Sequence, residues 1–492
     1  MRRHGYNVIA NLAGQGGSAA ITLLATPIFF RLYGAERVGV ILFMATVATM
    51  AALIDVGLAT TANRKIAESR GRSGESASAV DFVVTASLYY LVASLAAGCT
   101  ILVLAEDLCR EWLELPPALQ NEAVTAMKIW GGIQVLRLPL VLLGGVINGL
   151  ERQVIANVST LSFTLARTIC IIIVAKLFGP DLVSYATVYA VWTCLEFVVL
   201  LAATLRLLPR TQRGPRIDVS SFVDESHFAL GVALTTVCAM AIKMTDKMIV
   251  SGSLPVQEFA LYQSIFLLSS GITLVAASVM RAYYPVLSRV KDDKRLFAVS
   301  YRKSTRLISS STAPVAGFLV INYELVLKLW TQSEDMAVQG SGTFVIVVVA
   351  MMINSVMHAP QYVVWSLGNS KLTAINNFFG MLMIVPVTVF LVERLGLVGG
   401  ALAWLIYNGI YFLVFPNFVH NKLLPGAVTG WYLRDVFEPF LISACLFGAV
   451  YLLPLDVAVK LSLSWLLLLA LMASAFKKMM RERGDEYRIE SQ

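Results

Sequence analysis

The chain has 492 residues, of which 57% are hydrophobic and only 14% are charged, and its mean hydropathy is +0.73. Soluble domains carry about 25% charged residues, so the composition excludes a soluble globular protein and indicates a polytopic membrane protein. The net charge of +8 lies mostly in the segments between apolar stretches. It therefore bears on membrane orientation and does not indicate nucleic-acid binding.

Apolar stretches long enough to cross a bilayer as helices, which takes about 20 residues, recur along the whole chain. The first is longer than the roughly 7–15-residue core of a signal peptide, so we interpret it as a retained helix. We predict an all-α integral membrane fold with about fourteen transmembrane helices. In chain order, the predicted spans are 8–30, 38–62, 80–104, 123–148, 157–178, 184–208, 226–250, 257–284, 304–327, 341–367, 373–392, 399–419, 437–454 and 458–476.

The loops between the spans are short and unequally charged. With the N-terminus placed in the cytoplasm, the cytoplasmic segments carry 25 Lys and Arg residues and the opposite side carries 6. This asymmetry follows the positive-inside rule. It predicts that both termini are cytoplasmic and that the number of spans is even.

Several glycine, proline and polar positions recur between the two halves at a nearly constant offset, which is typical of an internal repeat. The matched pairs are Glu36 with Glu258, Pro139 with Pro360, Gly149–Arg152 with Gly368–Lys371, Asn157 with Asn376, and Gly179 with Gly396. The repeat predicts a six-helix lobe at 1–216, a second at 217–432, and two extra helices with a basic tail at 433–492. The same pattern would also arise if both halves merely shared the glycine and proline residues that are common in membrane helices.

Charged residues inside apolar spans are costly and mark buried pairs or functional sites. Lys128 and Arg281 lie near span ends, where a long side chain can reach the interface. Asp55 lies about two turns from a helix end, and it could cap a helix, pair locally or carry a coupling ion.

Arg137, Arg167 and Glu196 lie deeper in their spans. Arg167 and Glu196 fall on consecutive spans and could form a structural ion pair, or Glu196 could carry a coupling ion. Arg137 could pair with Asp55 or Glu196 across the bundle. Alternatively it could line a cavity beside the helix distortion that Pro139 favours.

A second group of charges, Lys243, Asp246 and Lys247, shares one helix face at i, i+3 and i+4 spacing, and Asp246 can neutralise only one lysine. The deep charges are thus net cationic or close to it. This predicts an anionic substrate, bound by Arg137, Arg167, Lys243 and Lys247. Asp55, Glu196 and Asp246 are the candidates for ion coupling.

Motifs for several enzyme and cofactor classes are absent from the sequence. There is no GxxxxGK[ST] loop, no HExxH, no CxxC and no GxSxG, and the six cysteines show no paired spacing. The longest external loop, 106–122, is too short to hold an extramembrane active site. We therefore predict no catalytic residues, no metal and no cofactor.

Short motifs in a fixed order resemble the polysaccharide (O-antigen type) flippases of the multidrug/oligosaccharidyl-lipid/polysaccharide exporter superfamily, over essentially the whole chain. They are the Asn11–Pro27 opening span with RLYGAERVGV at 31–40, Asp55-Val56-Gly57-Leu58, Gly149-Leu150-Glu151-Arg152, Thr245-Asp246-Lys247, Ala260-Leu261-Tyr262, Tyr284-Pro285-Val286-Leu287-Ser288, Leu327-Lys328-Leu329-Trp330 and GLVGGALAWLIYNG at 396–409.

The resemblance implies movement of undecaprenyl-pyrophosphate-linked oligosaccharide repeat units from the cytoplasmic to the periplasmic leaflet of a bacterial inner membrane. It implies a basic central cavity but does not assign which arginines line it. The expected partners are the anionic lipid-linked oligosaccharide and membrane lipids, with a polysaccharide polymerase and chain-length machinery as candidates. The alternative is a cation-coupled drug or metabolite antiporter on the same scaffold, for which an acidic interior is expected.

Overall fold

The computed structural model describes residues 2–55, 57–69, 75–209, 213–423 and 428–490. Within these ranges it describes side chains at 16–55, 57–69, 77–209, 213–220, 222–223, 236–369, 371–421 and 428–477. No β-strand forms in the described ranges, where Glu114 and Pro255 make one isolated bridge. The chain divides into two compact units, 1–261 and 262–492, and the division falls within one long helix.

The first unit is built from seven helices and the start of an eighth. A short 3₁₀ segment, Ala52–Asp55, follows the first helix, and a π-helical turn, Leu108–Trp112, follows the third. The helices are α1 (Arg2–Ala51), α2 (Leu58–Ser69), α3 (Glu75–Asp107), α4 (Pro117–Gly149), α5 (Gln153–Phe178), α6 (Leu182–Leu207), α7 (Val219–Ser253) and α8 (Val256–Arg289).

The second unit contains the rest of α8 and eight further helices. A π-helical segment, Trp431–Phe437, lies between the last short helix and the final pair. The helices are α9 (Lys294–Ile321), α10 (Tyr323–Thr331), α11 (Glu334–Val356), α12 (His358–Ser366), α13 (Ser370–Leu423), α14 (Val428–Gly430), α15 (Glu438–Leu452) and α16 (Val457–Glu490).

The fourteen predicted spans all have helical counterparts, although some are joined or bent. Among the described residues, ten helices have the length and hydropathy to cross a membrane, and α9 with α10 would form an eleventh span bent by 77°. Helix α13 contains two predicted spans separated by Gly396, and α1 contains the first predicted span and the start of the second, separated by Gly34. Both glycines have non-helical backbone. Helix α7 covers the predicted span 226–250. The predicted fold class is confirmed.

The predicted second span, 38–62, is not one continuous helix. It breaks at Gly57, whose φ of 77° lies in the left-handed region that glycine adopts without strain. Asp55 lies just before the break and Ala59 just after it. The Asp55 carboxylate accepts a hydrogen bond of 3.2 Å from the Ala59 backbone N–H and so caps α2. The sequence showed Asp55 and Gly57 together, and the structure shows that they end one helix and begin the next.

The internal repeat is confirmed and its register is sharper than the sequence indicated. Helix α4 spans Pro117–Gly149 and the α11–α12 pair spans Glu334–Ser366, so both ends are offset by 217 residues. The turns that follow use left-handed backbone at Glu151 and Gly368, again 217 apart. The sequence alignment of Gly149 with Gly368, offset by 219, was therefore wrong by two residues. The backbone turn, and not the residue type, is what repeats.

Three predicted external segments meet at one end of the first unit. The indole N–H of Trp112 donates to the Ser251 hydroxyl at 3.1 Å, and the side chain of Gln257 donates to Glu36 at 2.8 Å. Gly39 approaches the Val256 carbonyl so closely that an added Cβ would lie 2.4 Å from its oxygen. The loops after these spans therefore share one side, as the predicted alternation of span direction requires.

Candidate functional site

Three of the deep charges of the first unit gather where α4, α5 and α6 pack together. Arg137 projects from α4, Arg167 from α5 and Glu196 from α6, and together they line a cavity of about 280 Å³. The remaining lining side chains are Leu140, Val141, Gly144, Ala156, Thr160, Thr164, Tyr189, Thr193 and Leu200. All twelve belong to the same unit.

Helical spacing places the polar groups of this cavity on single faces of apolar helices. Thr160, Thr164 and Arg167 stand at i, i+4 and i+7 on α5. Tyr189, Thr193 and Glu196 repeat that spacing on α6, so each set forms one stripe along its helix. This signal is visible in the sequence, and our sequence analysis missed it.

Arg167 and Glu196 form a loose ion pair. Their closest atoms, Nη1 and Oε2, are 3.8 Å apart, and each side chain keeps 14% of its surface exposed. The distance is beyond hydrogen-bond range, so the contact is electrostatic and leaves the guanidinium N–H groups unused by the carboxylate. The pairing considered from the sequence is therefore present, but without hydrogen bonds.

Both arginines lie next to aromatic rings. The Arg167 guanidinium carbon lies 4.1 Å from the centroid of the Tyr189 ring, and that of Arg137 lies 5.9 Å from the same centroid. Arg137 also lies 6.0 Å from the Trp130 ring on its own helix. All three distances fall within the range of about 6 Å at which a cation is attracted to an aromatic face. Trp130 and Tyr189 are residues that the sequence analysis did not select.

Arg137 has no ion-pair partner among the described residues. Neither Asp55 nor Glu196, the two partners considered from the sequence, approaches it closely enough to form one. The cluster therefore contains two guanidinium groups and one carboxylate. Guanidinium presents several N–H donors in a plane that matches a phosphate, so the arrangement suits an anion.

The other predicted site residues lie outside this cavity. The Nζ of Lys247 donates to the Lys243 carbonyl at 2.8 Å and to the two Asp246 oxygens at 3.2 and 3.3 Å, with both Asp246 and Lys247 buried in α7. Lys243 is exposed. Asp55 accepts a hydrogen bond from the Tyr90 hydroxyl as well as capping α2. The structure thus gathers Arg137, Arg167 and Glu196, and places the rest elsewhere.

A multi-pass helical fold with an internal repeat and with basic groups inside its apolar helices is an architecture found in membrane transporters. A family model described as polysaccharide biosynthesis protein matches residues 149–338. A putative O-antigen transporter from Shigella flexneri is 23% identical over 403 residues, covering 81% of this chain and 93% of that protein.

Solved structures share the fold at low identity. The lipid II flippase MurJ, in an inward closed conformation, aligns with a TM-score of 0.74 and 14% identity, covering 96% of this chain and all of that one. An inward-facing multidrug resistance transporter of the MATE family aligns with a TM-score of 0.67 and 15% identity over 85% of this chain and 96% of its own. The predicted resemblance to the exporter superfamily is therefore confirmed. The chain therefore shares the helical fold of these transporters, and its sequence is similar to that of a putative O-antigen transporter over most of its length.

Proposed function

We propose that the protein flips undecaprenyl-pyrophosphate-linked oligosaccharide repeat units from the cytoplasmic to the periplasmic leaflet, for the biosynthesis of O-antigen, capsule or exopolysaccharide. The observation that carries the proposal is the charge of the α4–α6 cluster. Two arginines and one carboxylate line one cavity, and Arg137 pairs with no described acidic residue. A pyrophosphate would supply the missing negative charge.

Within this proposal Arg137 is the primary contact for the pyrophosphate. Arg167 is the second contact, and it exchanges the loose attraction of Glu196 for hydrogen bonds to phosphate oxygens. Lys243 is exposed on α7 and remains a candidate contact. Lys247 is the weaker candidate, because Asp246 already meets its ammonium group.

Among the three candidates for ion coupling, Glu196 is the one that shares the cavity with the arginines. Protonation of Glu196 would release Arg167 to the substrate, which links proton binding to anion binding. Asp246 is committed to Lys247, and Asp55 accepts two hydrogen bonds at a helix start. We therefore place the coupling carboxylate at Glu196 and expect structural roles for the other two.

The location follows from the same proposal. The bacterial inner membrane would hold the protein with both termini in the cytoplasm, six-helix lobes at 1–216 and 217–432 and an appended segment at 433–492. A polysaccharide polymerase and chain-length machinery would act on the exported unit.

The alternative, a cation-coupled drug or metabolite antiporter, calls for an acidic site. The excess of arginine over carboxylate in the cavity favours the flippase.

The test is reconstitution in liposomes with a fluorescent polyprenyl-pyrophosphate oligosaccharide, with and without a proton gradient. Wild-type protein is expected to expose the labelled lipid to an external quencher. Arg137→Glu should abolish this flipping, and Arg137→Lys should retain part of it because the charge remains.

Lys128→Glu is the matched control, since Lys128 lies on the same helix but forms an exposed pair with Glu106 at 2.8 Å. It should flip normally. Normal flipping by correctly inserted Arg137→Glu, or efflux of cationic drugs instead of lipid by the wild type, would refute the proposal.

A further inference from the structure

The two repeats differ in how one pair of neighbouring helices makes contact. Close packing does not by itself require this difference. In the first repeat the end of α4 lies directly against α2. A Cβ added at Gly145 would be 2.4 Å from the Ala59 carbonyl oxygen, and one at Gly149 would be 2.6 Å from that of Asn63. The two backbones therefore touch, and nothing else fits between them.

At the 217-residue offset, α12 takes the place of this part of α4, and Tyr362 and Ser366 stand where Gly145 and Gly149 do. The preceding helix is α8, which leads into α9 as α2 leads into α3. Here the contact is made by rings: Tyr284 of α8 meets Tyr362 edge to face, with centroids 5.6 Å apart. The second repeat therefore places an aromatic contact at a helix crossing where the first repeat has glycine against backbone.

Trp365 extends this aromatic contact. Its ring centroid lies 4.8 Å from that of Tyr362. Tyr362 packs against the buried core of the second unit, which fixes the middle ring. Tyr284 and Trp365 remain 38% and 39% exposed, so the two outer rings present open surface. We call Tyr284, Tyr362 and Trp365 the aromatic platform.

A cation accompanies the aromatic platform. Arg281 lies one helical turn before Tyr284 on α8 and interacts electrostatically with Tyr362. Rings with open faces beside a guanidinium group suit a ligand that has apolar faces and several hydroxyl or acidic groups. A sugar ring has that chemistry: its C–H face stacks on an aromatic ring, and its hydroxyl oxygens accept hydrogen bonds from arginine.

We propose that the aromatic platform binds the oligosaccharide of the lipid-linked substrate, so that sugar and pyrophosphate are recognised by separate groups of residues. The proposal rests on the proposed function. Anchoring at the membrane interface is the competing explanation for exposed Tyr and Trp side chains. Anchoring calls for neither mutual ring contacts nor a ring held by the core, and it does not explain why the repeats differ here.

The experiment measures binding of two probes to the full-length protein in detergent. One is undecaprenyl pyrophosphate carrying the native repeat unit, and the other is undecaprenyl pyrophosphate without sugar. Wild type should bind the sugar-bearing probe more tightly. Trp365→Ala and Tyr284→Ala should each weaken its binding several-fold, up to about tenfold, and leave the bare probe unchanged. Trp365→Phe should restore most of the preference.

Trp465→Ala is the matched control, because Trp465 of α16 is 48% exposed and belongs to another part of the unit. It should leave both affinities unchanged. Equal affinity of wild type and Trp365→Ala for the sugar-bearing probe would overturn the inference, as would an equal loss for both probes. If wild type bound neither probe, the proposed function itself would fail, which is a different result.

Discussion

Arg167 and Glu196 are 3.8 Å apart at their closest atoms, with Arg167 seated 4.1 Å from the ring centroid of Tyr189. The guanidinium group thus contacts an aromatic ring as well as the carboxylate, and the carboxylate is too far away to accept a hydrogen bond from it. An arginine held in this way can change its anionic partner without leaving its place. We therefore expect substitutions of Arg167 and of Glu196 to affect anion binding differently.

Replacing each partner by glutamine should therefore have opposite consequences. Arg167→Gln leaves Glu196 facing the cavity, and the affinity for a pyrophosphate lipid should fall at least several-fold. Glu196→Gln removes the competing negative charge, and the affinity should be equal to or tighter than that of the wild type. Binding measured at low and high salt checks this, since salt weakens the difference. Equal losses in both variants would indicate a purely structural pair.

Asp55 is expected to support folding through its two hydrogen bonds. Asp55→Ala removes the cap of α2, which typically costs about 1–2 kcal/mol, and deprives the Tyr90 hydroxyl of its acceptor. Asp55→Asn keeps an acceptor oxygen and should cost less. Thermal unfolding in detergent measures the order of stability. A coupling role would instead appear as normal stability in Asp55→Asn with transport that no longer responds to a proton gradient.

The adjacent residues Gly144 and Gly145 allow a controlled test of how closely α4 packs against α2. An alanine Cβ at 145 would lie 2.4 Å from the Ala59 carbonyl oxygen, whereas nothing lies within 4 Å at 144. Gly145→Ala should lower the melting temperature, because backbone must move to admit the methyl group. Gly144→Ala should leave stability unchanged or raise it by up to about 1 kcal/mol, since alanine is the better helix former. Equal melting temperatures would contradict the close contact.

The carboxylate of Asp435 is buried and accepts a hydrogen bond of 2.6 Å from the Arg302 Nε–H. Arg302→Ala leaves this charge unpaired, and we expect a loss of about 3 kcal/mol, near the lower end for buried pairs because Arg302 is itself partly exposed. Adding Asp435→Asn should recover part of the loss in a double-mutant cycle. Lys328→Ala is the control, since its pair with Glu334 is exposed, and its melting temperature should not change.

The fold was largely predictable because membrane spans are set by local composition. Hydropathy located the helices, and glycine or proline stands at several of their ends. The exceptions arose where tertiary contacts decide the backbone. The break at Gly57 depends on Asp55 capping the next helix, and α9 bends into α10 after Ile321 without a glycine or proline at that point.

The candidate site was predictable only in part. The cost of a charge in an apolar span selected Arg137, Arg167 and Glu196 from the sequence alone, and the structure brings those three together. Trp130 and Tyr189 were missed, because aromatic residues are common in membrane helices and the sequence does not show which of them lie next to an arginine. Lys247 was placed among the substrate contacts, but its ammonium group meets Asp246 on its own helix.

The sequence by itself determined the membrane class, the number and order of the helices and the existence of a repeat, since these depend on hydropathy and spacing along one chain. The tertiary structure alone decided which charges meet, because pairing depends on how neighbouring helices rotate about their axes. It also set the repeat register at 217 residues, left Arg137 without an acidic partner among the described residues, and brought Tyr284, Tyr362 and Trp365 together, with Tyr362 in the place of Gly145 of the first repeat. Those contacts join residues far apart in the chain, and no local pattern records them.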